Sequence, residues 1–113
     1  MIVHLSQYVL LAGLLFSLGL YAALTRRNAV IVLLSVELMM AAALVVLVAF
    51  GRFGSPAFGW LTADEAAVAR EHALALFIIA VAAAEVAVGL AILIALYRLK
   101  ATANVDEHDT LKH

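Results

Sequence analysis

The sequence predicts an all-α integral membrane protein of three transmembrane helices, with the N-terminus outside and the C-terminus cytoplasmic. Three observations predict it. Of 113 residues, 67% are hydrophobic and only 13% charged, where soluble domains are about half apolar and a quarter charged. Mean hydropathy is +1.13. The apolar residues fall into three runs, each long enough to cross a bilayer core of ~30 Å at ~1.5 Å per helical residue. Backbone polar groups in lipid must be satisfied within the segment, so each run is a helix. These helices are expected over about 3–24, 29–50 and 63–98, forming one domain over 1–100, with a polar cytoplasmic tail over 101–113.

The first helix carries no basic residue ahead of it, and Arg26 and Arg27 follow it. A signal peptide has the opposite order, so the helix is expected to be retained. The second begins after the short loop Thr25–Asn28 and runs through "LLSVELMMAAAL". After it comes "GRFGSPAFGW", where Gly51, Gly54, Pro56 and Gly59 break helix. Phe53, Phe58 and Trp60 in that stretch suit a membrane interface. Thr62 and Glu65 are spaced as a capping box, which puts the start of the third helix near Ala63. Arg26, Arg27, Arg98 and Lys100 outnumber Arg52 and Arg70 of the 51–72 loop, which also holds Asp64, Glu65 and Glu71. The short loop and the C-terminus are therefore expected inside, with the long loop outside, alongside His4 and His72. The tail "ATANVDEHDTLKH" lacks helical periodicity. It is expected to be disordered or laid against a partner.

Composition narrows function mainly by exclusion. A net charge of −1 gives no electrostatic case for nucleic acid. The absence of cysteine removes disulfides and Cys-ligated metal within the chain. No phosphate-binding glycine loop is present. "DEHD" at 106–109 reads as a solvated tail rather than a metal site. No cofactor, metal or catalytic residue is expected in this chain.

What remains is a pair of carboxyls. Glu37 and Glu85 are the charged residues inside the three apolar runs. Glu37 lies about 14 Å beyond Asn28 and Glu85 about 18 Å before Tyr97, so both fall near the midplane. An ionised residue there costs about 2.5–3.5 kcal/mol on insertion scales. Each must be protonated, face water or meet a cation. All seven Lys and Arg lie in loops, ends or tail, so a cation at that depth must come from another subunit. A plain hydrogen-bonding role in helix packing is the bland reading, but intramembrane carboxyls usually mark ion or proton paths. Small residues at i, i+4 spacing, Ala83, Ala87, Ala91 and Ala95 above all, offer close helix approach, as do Gly13–Ser17 and Gly19–Ala23. Gly89 and Ala41 stand four residues after the two glutamates. Three thin helices do not enclose a water path, which points to a larger assembly.

These residues carry a resemblance. "LGL" followed by "RRN", then "VELMMAA", then "AAAEVAVGLAILIALYR" resemble the subunit K family of the bacterial respiratory NADH–quinone oxidoreductase, complex I, over about residues 8–98. The resemblance implies a multi-pass, non-redox subunit of the plasma membrane arm, in an enzyme that couples quinone reduction to proton pumping. It implies packing between subunit J and the antiporter-like subunits. Flavin, iron–sulfur clusters, NADH and quinone would be bound by other subunits. Carried over, Glu37 and Glu85 are proton-relay carboxyls. Arg26 and Arg27 match an inner-loop pair implicated in activity, or serve as topology anchors. Two departures stand out: Ala41 replaces an Asn common in the family, and the 51–72 loop is longer than expected. Rival readings are the homologous small subunit of a multisubunit cation/proton antiporter and a small multidrug efflux transporter. The latter has four helices and its glutamate in the first.

Overall fold

A computed structural model describes residues 4–53, 65–101 and 103–107. Three α-helices account for most of them: α1 (Leu5–Thr25), α2 (Ala29–Phe53) and α3 (Glu65–Lys100), followed by a single 3-10 turn, Val105–Glu107. All three are long and apolar enough to cross a membrane. At 1.5 Å per residue α1 is about 31 Å long and α3 about 54 Å, so α3 exceeds a bilayer core. The longest dimension, 57 Å, is set by it.

The helix ends follow local chemistry. At α1 the His4 N–H donates to Gln7 Oε1 at 3.3 Å and the Gln7 N–H donates back to the His4 carbonyl at 3.0 Å. This reciprocal pair satisfies groups that a helix start leaves open. At α2, Asn28 Oδ1 accepts from the Val30 N–H at 2.9 Å. Helix α2 runs through Gly51 to Phe53, beyond the expected stop at 50. The breaker cluster begins only at Gly54. The capping pattern at Thr62 lies outside the described residues.

Helix α2 is the centre of the molecule, with α1 packed closely against it and α3 more loosely. The buried residues are small: Ala12 and Gly19 on α1, Ser35, Ala42 and Ala49 on α2, Ala75 and Ala82 on α3. Each set repeats every seven residues, the spacing that keeps one seam facing a neighbour in left-handed helix packing. Large apolar side chains point outward, including Leu10, Leu18, Leu76, Phe77 and Ile92. In water this distribution would be an aggregation hazard. In lipid it is the expected one, because tails solvate Leu as well as a core does.

The ridge predicted to pack, Ala83, Ala87, Ala91 and Ala95, is exposed. The contacts instead use the heptad Ala75, Ala82 and half-buried Gly89. An i, i+4 stripe drifts round a helix, whereas a seven-residue repeat stays nearly in line. The glycines of α1 also divide. Gly13 has open space where a Cβ would stand, and Ser17 simply donates back to its carbonyl at 2.7 Å. At Gly19 a Cβ would lie 2.8 Å from both the Ser35 carbonyl oxygen and Met39 Cγ. Gly19→Val is therefore expected to force α1 off α2, costing about 1–3 kcal/mol. Gly13→Ala should leave the helix pair intact. Thermal loss of the chain from detergent-extracted membranes distinguishes them, and equal losses would refute the assignment.

Candidate functional site

The two glutamates sit on neighbouring helices that run antiparallel. Leu33 touches Gly89, where a Cβ would come within 3.2 Å of Leu33 Cδ1, and Gly51 touches Glu71. The same number of residues separates these two contacts on each helix, so the register holds along the pair. One turn on from Leu33 is Glu37, and one turn back from Gly89 is Glu85. The structure thus brings the two carboxyls to one level.

It does not bring them into contact. Glu37 is half-buried and lines a cavity of about 300 Å³ with Met40, Ala41, Leu44, Ile79, Ala82 and Ala83. Glu85 is exposed. At about 100° per residue, Ala83 and Glu85 fall on opposite sides of buried Ala82. Glu37 therefore opens on one flank of the α2–α3 seam and Glu85 on the other. The cavity has space for several waters at ~30 Å³ each, and Glu37 is its ionisable lining group. Through Leu44 and Ile79 it adjoins a second cavity of about 360 Å³, which reaches Tyr8, Arg52 and His72 at the far end of the bundle. Exposed Ala41, at the position of the family's Asn, lines the first cavity and brings no polar group.

Arg26 and Arg27 stand at the other end, in the α1–α2 connection, both exposed. Ala29, where α2 starts, is about 12 Å along the helix from Glu37. The arginines are not part of the glutamate level, and among the described residues no Lys or Arg is. Asp106 of the tail pairs with Arg27 at 2.6 Å. No group of three or more His, Asp or Glu poised for a metal occurs among the described residues.

A third carboxyl escaped the sequence reading. Glu71, counted there as a loop acid, lies within α3 against Gly51. Its Oε2 is buried with no hydrogen-bond partner among the described residues. Gly51 is what admits it, since a Cβ would occupy the carboxylate's place. Gly51→Ala is expected to expel Glu71 and destabilise this end by about 1–3 kcal/mol. Adding Glu71→Ala should restore the loss. A thermal melt of the detergent-solubilised assembly reads both, and no rescue would show that Gly51 serves something else. The sequence signal was the glycine itself, a lone small residue opposite an acid across an antiparallel pair.

Comparison with known proteins gives a consistent result. The family described as NADH-ubiquinone/plastoquinone oxidoreductase chain 4L matches residues 7–113. Among curated proteins, the chain is 53% identical over 112 residues to the NADH-quinone oxidoreductase subunit K of Brevibacillus brevis, covering 99% of each. It is 50% identical over 111 residues to that of a Geobacillus species, covering 98% of this chain and 97% of the relative. It is 54% identical over 107 residues to that of Bacillus cereus, covering 95% and 93%.

Proposed function

From the premise that the chain belongs to the NADH-ubiquinone/plastoquinone oxidoreductase chain 4L family, we propose that Glu37 and Glu85 carry protons in the membrane arm of complex I. The chain is a subunit of an NADH:quinone oxidoreductase. Its part is non-redox, and the hydride and electron chemistry belongs to cofactors held elsewhere in the complex.

The observation that carries the reading is the shared level of two carboxyls inside otherwise apolar helices. A relay needs groups that take and release a proton, at a depth that water does not reach freely. Glu37 has the cavity that leads toward Arg52 and His72. Glu85 has an open flank instead, so its next partner lies on a neighbouring subunit, with subunit J and the antiporter-like subunits on the two sides. Since the seam separates the two glutamates, a proton passing between them goes by water or by a neighbour's side chain, not by a direct hydrogen bond. The membrane is the bacterial plasma membrane, with the Arg26–Arg27 end and the C-terminus on the cytoplasmic side.

The test is the number of protons moved per NADH oxidised in inverted membrane vesicles, for Glu37→Gln, Glu85→Gln and the double variant. Impaired coupled turnover in assembled complexes supports the relay. Wild-type pumping in all three overturns it. The flavin and iron–sulfur content of the complex that co-purifies with the chain separates this reading from a redox-free antiporter.

A further inference from the structure

Beyond Lys100 the chain reverses. Ala101 takes φ 51°, a left-handed conformation common just past a helix end, and its N–H closes the last turn onto the Tyr97 carbonyl. The tail then runs antiparallel to the α1–α2 connection. The Ala29 N–H donates to the Ala103 carbonyl at 2.7 Å, and the Val105 N–H donates to the Arg27 carbonyl at 3.0 Å. These bonds flank Asn28 and Asn104, which face each other as a bridge pair. The 3-10 turn that follows brings Asp106 to Arg27. Val105 lines the groove between α2 and α3 beside Leu33, Gly89 and Leu93. The tail expected to be disordered or given to a partner is laid, over 103–107, against its own chain.

Two adjacent arginines are therefore differently placed. Arg27 is engaged twice, through its carbonyl and its guanidinium. Arg26 closes α1 through its N–H, bonded to the Ala22 carbonyl at 3.1 Å, and its exposed side chain makes no ion pair among the described residues. We propose that residues 103–107 form a strap that ties the end of α3 to the start of α2 and stays closed during turnover, with Arg27 as its positioning residue. The Ala103 carbonyl caps an Ala29 N–H that the helix start leaves open. Val105 covers the contact one turn from both glutamates, so the strap holds the register that keeps them level. That consequence rests on the proposed relay; the strap does not. Both side chains of the ion pair are more than half exposed, at 67% and 52%, so the backbone bonds carry most of the attachment and the pair selects its position.

The chain has no cysteine, which makes cross-linking clean. Asn28 and Asn104 form a pair not bonded to each other, a geometry with Cα atoms about 4.5 Å apart and within disulfide range. In the intact complex in membrane vesicles, Asn28→Cys with Asn104→Cys is expected to form a disulfide under mild oxidation, with NADH:quinone turnover unchanged. Arg27→Asp or Asp106→Arg, added singly, should slow cross-linking about threefold. The two together should restore it, and Arg26→Asp should leave it unaltered. Absence of the disulfide, turnover lost on oxidation, failure of the charge exchange to rescue, or equal effects of Arg26→Asp and Arg27→Asp would each overturn the strap. Proton pumping is not the readout of its existence, so its failure and the failure of the relay are distinguishable.

Discussion

Glu37→Gln is expected to leave the complex assembled and to cut proton-coupled NADH:quinone turnover about a hundredfold, the lower end of what a positioned acid–base group contributes. Glutamine preserves shape and hydrogen bonding but does not ionise. Packing around the half-buried side chain is therefore kept, while the one ionisable group lining the 300 Å³ cavity is lost. Glu37→Asp retains the carboxyl but withdraws it by about one bond, and should keep more activity than glutamine. NADH oxidation by a water-soluble acceptor, which does not draw on the membrane arm, should be unchanged in both. The decisive measurement is the pH gradient formed per NADH in inverted vesicles, normalised to the amount of assembled complex. A glutamine variant that pumps normally removes Glu37 from the proton path. One that fails to assemble moves the residue into the packing role, which Asp and Gln would then rescue about equally.

How much of this was legible in the sequence depends on which physical signal each feature uses. Helix number followed from run length, because lipid forbids unsatisfied backbone. The glutamates announced themselves by the energy of placing charge in an apolar run, and counting residues put them near one depth. Contact register then put them level. The packing face was a different matter. In water, a helix betrays its buried face by polarity. Here both faces of α3 are apolar, so Ala83, Ala87, Ala91 and Ala95 looked as suitable as Ala75, Ala82 and Gly89. Only the neighbour's surface decides, and it chose the seven-residue repeat. Glu71 was hidden because its position in the helix is defined by a contact with Gly51 distant in sequence. The strap was hidden because Asn104 and Asp106 look alike whether solvated or paired. Their partners, Asn28 and Arg27, were in view as topology signals with no sign of a second task.

The second large effect is expected at Glu85, and the informative variant is the double one. Glu85 is exposed on this chain, and no Lys or Arg among the described residues shares its level. Left ionised against lipid it would carry the ~2.5–3.5 kcal/mol penalty of a central charge. Its stability in place therefore implies cover from a neighbouring subunit, and Glu85→Gln should loosen nothing while lowering coupled turnover about tenfold. Independent roles multiply: a tenfold and a hundredfold loss would combine to about a thousandfold, the additivity expected of uncoupled sites. Consecutive stations on one route do not multiply. Once Glu37→Gln has stopped the traffic, removing Glu85 takes away nothing further, so Glu37→Gln/Glu85→Gln should be no worse than Glu37→Gln alone. The seam between the two carboxyls makes this comparison clean, because they share no hydrogen bond whose loss would imitate coupling. A thousandfold fall in the double variant would place the glutamates on separate paths. Unchanged pumping in Glu85→Leu, with a complex that melts higher, would mean that Glu85 is an unpaired liability rather than a carrier.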